Sequence, residues 1–184
     1  MDVRVLFNTT LFLFSTQPLN ELLRGLVTVT NVASVSDARK ALFEAFGGQV
    51  TTAAATETAL SVGTEYLDAD AGFRTRIEDG TQYIEQSVGS ISALGVGAQC
   101  PLDEAYCQQT VKQKSPFCIQ DVTKDGSVSE DAIDRFGLNS YIGCRITVDG
   151  ELHGTVCFAG TEPRTEQFDK IDELFVELLA QLIG

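Results

Sequence analysis

The residues best suited to chemistry are five cysteines, at 100, 107, 118, 144 and 157, and one histidine, His153. The cysteine count is odd and no Cys-x-x-Cys pair occurs, so in an intracellular chain the plain reading is reduced thiols used as small buried hydrophobes. A redox-sensing thiol needs access and a depressed pKa, and Asp103 and Glu104 beside Cys107 oppose a thiolate there. An iron–sulfur centre needs tighter spacing than these cysteines have. One histidine cannot build a multi-histidine zinc or iron site. His153 is left with single-histidine roles, axial haem ligation or a Ser-His couple, against the simpler reading of a partly exposed strand residue. Lys112 and Lys114 could meet a phosphate, but no Gly-rich phosphate loop accompanies them. Carboxylates are abundant, and in so acidic a chain they read as solvated surface rather than as an acid/base pair.

Charge narrows the partners. Acidic residues number 26 against 13 basic ones, for a formal net charge of −13. Such a surface repels nucleic acid and anionic lipid, so no nucleic-acid or membrane partner is expected. High acidity with only five lysines resembles the composition of halophile proteins. Val3 to Phe14 is apolar in places, but Arg4 and Asn8 interrupt it, and it falls short of the roughly 20 residues that span a bilayer. No secretory signal pattern stands out, so a cytoplasmic chain is expected and the Asn8-Thr9-Thr10 sequon carries no meaning.

Hydrophobic residues make up 43%, enough to bury a core, and 184 residues suit one domain with helical extensions. Thr16 and Pro18 suit the start of a helix carrying Leu19, Leu22, Leu23 and Leu26. Ser36-Asp37 suits a second start, with Ala38, Ala41, Leu42, Ala45 and Phe46 on one face and Gly47-Gly48 at the end. A third helical run covers about 50 to 67. From residue 71 the period changes. Asp79-Gly80 and Asp149-Gly150 each join alternating runs and predict two hairpins with type I′ turns. Counting out from the first turn sets Arg76 opposite Tyr83 and Arg74 opposite Glu85, with Phe73, Thr75, Ile77, Ile84 and Gln86 on one face. Counting from the second sets Cys144 and Cys157 on one face with Ile142 and Ile146, and Tyr141, Val156 and Phe158 on the other. Both faces of that hairpin are apolar, so it belongs centrally in the sheet. Between the hairpins, Ile91 to Ala98 reads as loop, Asp103 to Lys112 as a short helix, Pro116 to Val122 as a short strand, and Ser129 to Gly137 as a capped helix. Phe168, Ile171, Leu174, Phe175, Leu178, Leu179 and Leu182 form the stripe of an amphipathic helix over Thr165 to Ile183. The order predicts an α+β domain. It has an antiparallel sheet of about five or six strands, terminal helices on one face and the loop-helix insertion, 90–138, on the other.

Cys100-Pro101-Leu102-Asp103-Glu104-Ala105-Tyr106-Cys107, Ser115 through Val122, Tyr141-Ile142-Gly143, Gly154 through Phe158 and Glu162-Pro163-Arg164 through Phe168 together resemble the GAF domain family over about residues 55 to 184. The acidic composition further resembles GAF modules of haloarchaeal sensor kinases and bacterio-opsin-activator-type regulators. The resemblance implies a GAF-like sensory domain at 51–184 and, at 1–50, a helical extension for signalling or dimerisation. It implies a sensory, non-enzymatic role in signal transduction, relayed through terminal helices to an output domain or partner protein. It also implies a homodimer and a small-molecule ligand whose identity is unknown. By matching position the ligand residues are Phe73, Ile84, Gln86, Leu102, Tyr106, Cys107, Val111 and Phe117, and Cys100, Cys107 and Cys118 fall in the same region. No metal site is implied. The adjacent Cys-His pair of bilin-binding relatives and the N-K-x-F-D-type signature of cyclic-nucleotide relatives are absent. Two alternatives stay open: a ligand-free dimerisation module built on the leucine stripes, and a thiol-based redox sensor or methionine-sulfoxide-reductase-like enzyme.

Overall fold

Two Asp-Gly turns set the frame. In the computed structural model, which describes residues 52–184, Asp79 and Gly80 have φ of 49° and 73°, and Asp149 and Gly150 have φ of 51° and 84°. Positive φ at both central positions is what a type I′ turn demands, and aspartate and glycine meet it at least cost. The first turn joins β1 (Ala71–Glu78) to β2 (Thr81–Gly89), and the second joins β5 (Ser140–Val148) to β6 (Glu151–Gly160). β1 also pairs with β6, so the hairpins merge. Two three-residue strands, β3 (Gln99–Pro101) and β4 (Phe117–Ile119), close the edges. The result is one six-stranded antiparallel sheet in the order β3-β2-β1-β6-β5-β4. The helices expected before residue 50, with Leu19, Leu22, Leu23 and Leu26, lie outside the described residues, as does the 1–50 extension.

Each hairpin carries a bulge that corrects the register counted from its turn. In the first, the shift between Arg74 and Thr75 leaves Glu85 as the extra residue, so Arg74 lies opposite Gln86. Arg74 and Arg76 still both reach the Glu85 carboxylate, each at 3.1 Å. Gln86 therefore leaves the face of Ile84, and its amide donates to the Ala53 carbonyl at 2.8 Å. In the second, His153 is the extra residue, so Cys157 lies opposite Gly143 and Cys144 opposite Val156. The two cysteines consequently project from opposite faces. A bulge changes the parity of everything beyond it, because side chains alternate with period two.

One face carries the terminal helices. α1 (Thr52–Tyr66) lies close enough to the sheet that a Cβ added at Gly63 would sit 2.3 Å from the Phe158 ring. The final helix starts at Lys170 rather than Thr165. The Asp169 carboxylate accepts from the N–H groups of Ile171 and Asp172, and Asp172 returns a bond to the Asp169 N–H, a capping box that fixes the first turn. This helix spans Lys170–Ile183 and buries Phe175, Val176, Leu179, Ala180 and Ile183, with the Phe175 ring centred 4.5 Å from that of Tyr66 and tilted 50° to it. The expected stripe is thus divided, since Ile171, Leu174, Leu178 and Leu182 face outward.

The insertion covers the opposite face. Short 3-10 turns at Ser92–Leu94, Leu102–Glu104 and Val122–Lys124 alternate with α2 (Cys107–Lys112) and α3 (Glu130–Phe136). Ser129 caps α3 by accepting from the Ala132 N–H, and Gly137, at φ +63°, ends it in the left-handed conformation. The Lys170–Ile183 helix is α4 in chain order.

Candidate ligand pocket and thiol cluster

The insertion-side core brings together most of the residues singled out by sequence. Phe73, Ile84, Tyr106, Cys107 and Phe117 are buried in one cluster, and Leu102 packs against its edge. Val111 is half-buried on α2. Gln86 stands apart on the α1 face. Leu94, Ile119, Val122 and Leu138 complete the packing, so the centre of this region is filled by its own side chains.

A small hollow remains beside that centre, under β2, β3 and α3. It measures about 90 Å³ and is lined by Gln82, Ile84, Ala98, Cys100, Arg135 and Phe136, among others. Only Ile84 among these is one of the sequence-derived ligand residues. Gln82 is 2% exposed, and its Oε1 finds no hydrogen-bond donor among the described residues. Its amide nitrogen lies 3.9 Å from the Cys100 sulfur, a weak contact. The Arg135 guanidinium pairs with Glu104 at the rim. The signal for Gln82 was present in the sequence, as a polar residue two positions before inward-facing Ile84, but the missing strand β3 hid its burial.

A second polar group lies under α2. Cys107 on α2 and Cys157 on β6 place their sulfurs 3.6 Å apart, both fully buried. Thr155 donates its hydroxyl to Cys107 Sγ at 3.2 Å, and Cys157 Sγ donates to Thr155 Oγ1 at 3.1 Å. The Tyr141 hydroxyl lies 3.0 Å from Cys157 Sγ, 3.6 Å from Cys107 Sγ and 2.7 Å from Thr110 Oγ1. The Thr75 and Thr155 hydroxyls are 2.7 Å apart. Burial works against a Cys107 thiolate, but the hydrogen bonds it shares with Cys157, Thr155 and Tyr141 outweigh it and hold this thiol below its ordinary value. Burial, then the hydrogen bond and charge of Cys107, push Cys157 well up. Burial alone dominates elsewhere and raises Cys100 and Cys144 to about 11 and Cys118 to about 12. Sequence reasoning weighed Asp103 and Glu104 against Cys107, and missed the hydroxyls of Tyr141 and Thr155 brought to it from β5 and β6. No three His, Cys, Asp or Glu side chains form a metal-binding group among the described residues. Among the same residues, no helix is long and apolar enough to cross a membrane.

Known proteins share this architecture. A family model for the GAF domain matches residues 49–184. No curated protein matches the sequence. The chain is similar to the GAF domain of an Acinetobacter phosphoenolpyruvate-protein phosphotransferase, with 17% identity and a TM-score of 0.64 over 81% of this chain and 90% of that one. It is similar to the free methionine-R-sulfoxide reductase of Neisseria meningitidis, solved with its substrate, with 14% identity and a TM-score of 0.66 over 85% and 92% of the two chains. It is also similar to the phycocyanobilin-bound GAF domain of a cyanobacterial phytochrome, with 13% identity and a TM-score of 0.65 over 80% and 90%. At these identities the structural likeness speaks for the fold alone. With a sheet flanked by terminal helices on one face and an insertion on the other, and a family match from residue 49 to the last residue, the chain belongs to the GAF domain family.

Proposed function

We propose that this GAF domain is a sensory or regulatory module of a cytoplasmic signalling protein, binding a small molecule at the Gln82 hollow. In this reading the chain senses rather than catalyses. The observation that carries it is the buried, unpaired Gln82 oxygen on the wall of a 90 Å³ cavity. An orphaned buried acceptor costs about 1–3 kcal/mol, which a ligand N–H or O–H would recover. At roughly 30 Å³ per water the space suits about three waters or a few ligand atoms, so the ligand is small or enters by shifting α3. The relay runs through β6. Thr155 and Cys157 face the insertion, while Val156 and Phe158, between and beyond them, pack toward the terminal helices. A ligand moves this system only by binding two arrangements with different affinity. The acidic composition supports a halophilic source, as in haloarchaeal sensor kinases or bacterio-opsin-activator-type regulators.

The test is native mass spectrometry of freshly purified protein. A bound small mass, released on denaturation and lost in Gln82→Met, is the expected result. A ligand retained unchanged by Gln82→Met would move the site elsewhere.

One observation favours a second reading, a homodimerisation module. Ile171, Leu174, Leu178 and Leu182 are 49%, 53%, 38% and 38% exposed and repeat at spacings of 3, 4 and 4 along α4, the pattern of an interhelical seam. Light scattering would then give a dimer that Leu174→Glu converts to monomer, whereas a wild-type monomer at high concentration would discard it.

A further inference from the structure

We propose that Cys107 and Cys157 form a reversible disulfide across the insertion-side core, made by a peroxide no larger than hydrogen peroxide. The inference stands on the thiol geometry and is independent of the ligand hollow. The two sulfurs are already in van der Waals contact at 3.6 Å, although 50 residues separate them in the chain. A disulfide needs them at about 2.05 Å, an approach of about 1.5 Å.

The surroundings are not those of cysteines used only as packing. Thr75, Thr110, Tyr141 and Thr155 bring four buried hydroxyls to this one place, linked to one another and to both sulfurs. The Thr155 N–H donates to Thr75 Oγ1 at 3.1 Å, which ties β6 to β1 at this point. The Thr155 hydroxyl proton points to Cys107, and Tyr141 stands between the sulfurs. A buried hydroxyl aimed at Cys107 suits a sulfur that carries negative charge, so Cys107 is the attacking thiolate. Cys157, whose thiol keeps its proton and donates it to Thr155, is the resolving partner. Cys100, Cys118 and Cys144 have thiols raised by burial and are poor competitors.

The chemistry balances with the peroxide as oxidant. The Cys107 thiolate attacks one peroxide oxygen and breaks the O–O bond. This gives a sulfenic acid and a hydroxide, which takes a proton to become water. The Cys157 sulfur then attacks Cys107 Sγ. Its proton joins the departing hydroxyl as a second water, and the S–S bond forms. Two thiols lose two electrons in all, and one peroxide is reduced to two waters. Burial selects the oxidant. Both sulfurs are closed off by α2, a helix of six residues, so a bulky disulfide such as oxidised glutathione is excluded while a peroxide enters with local opening of that helix. Once formed, the bond ties α2 to β6. It also removes the acceptor that the Thr155 hydroxyl now uses, so the hydroxyl network must rearrange.

The experiment uses the full chain, fully reduced and treated with increasing hydrogen peroxide. After a catalase quench, free thiols are alkylated under denaturing conditions and peptides are mapped by mass spectrometry. The expected result is loss of two of the five thiols, with the Cys107 and Cys157 peptides linked to each other, and recovery of all five with dithiothreitol. In Cys157→Ser, dimedone should label Cys107 as its sulfenic acid. The proposal is overturned if Cys118 or another cysteine is oxidised first, if the linked peptides join different chains, or if Cys107 and Cys157 stay reduced until the protein unfolds. The wild-type map decides the matter even if the variant fails to fold.

Discussion

Replacing Gln82 by methionine should make the ligand-free protein more stable. The side chain is nearly volume-conserving, so the packing around Ile84 and Phe136 is kept. What changes is polarity. The Gln82 oxygen is buried without a donor, a cost of about 1–3 kcal/mol that the substitution removes. The loss on the other side is the amide contact with the Cys100 sulfur, which at 3.9 Å contributes little. The net gain is about 1–2 kcal/mol, or a Tm higher by about 2–8 °C for a chain of this size. Urea unfolding followed by circular dichroism measures it, with an unchanged m-value required for the comparison. Gln86→Met is the control, because that amide sits on the surface and donates to the Ala53 carbonyl, so its loss should destabilise by under about 1 kcal/mol. If Gln82→Met instead lowers stability by about 1 kcal/mol or more, ordered water must already satisfy the oxygen in solution. The hollow would then be a hydrated structural feature and the ligand reading would lose its support.

Three further outcomes follow from the same geometry. Gly154→Ala would place a Cβ 1.8 Å from the Thr75 carbonyl oxygen, a backbone clash that β1 and β6 can relieve only by separating. It should cost more than about 3 kcal/mol, read as loss of soluble folded protein or a collapsed urea midpoint. Asp169→Ala removes the carboxylate arm of the α4 capping box, the acceptor for the Ile171 and Asp172 N–H groups, and should destabilise by about 1 kcal/mol, with early amide exchange confined to the first turn of α4. Asp70 accepts from the Thr161 hydroxyl and N–H, which hold its carboxyl below the ordinary value. A depressed folded-state pKa gives stability above the unfolded value that is lost as pH falls through the folded one. Asp70→Asn should therefore be slightly less stable at pH 7, by well under 1 kcal/mol for so exposed a group, and the gap should begin to narrow only as pH falls below about 4 in paired urea titrations.

The elements were legible where local chemistry decides them. Each Asp-Gly pair names its turn, Ser129 and Gly137 name the ends of α3, and the two-sided apolar pattern of residues 140–160 names the central hairpin. β3 was not legible, because a three-residue edge strand ending in Pro101 has neither length nor alternation and exists only by pairing with Thr81, Gln82 and Tyr83. The exposed half of the α4 stripe was not legible either, since an apolar residue facing outward looks in sequence like one facing the core.

The bulges mattered most for the site. Counting from a turn gives the register only as far as the first extra residue, and an extra residue between two apolar faces leaves no break in the pattern. Glu85 moves Gln86 off the insertion face. His153 does the reverse for Cys157, moving it from the side of Cys144 and Ile142 to the side of Tyr141 and Cys107. The only histidine in the chain thus acts on the thiol pair by its place in the backbone rather than by its imidazole. Deleting it would restore the simple register, return Cys157 to the helix face and part the two sulfurs, so the peroxide-formed disulfide and the bulge should be lost together.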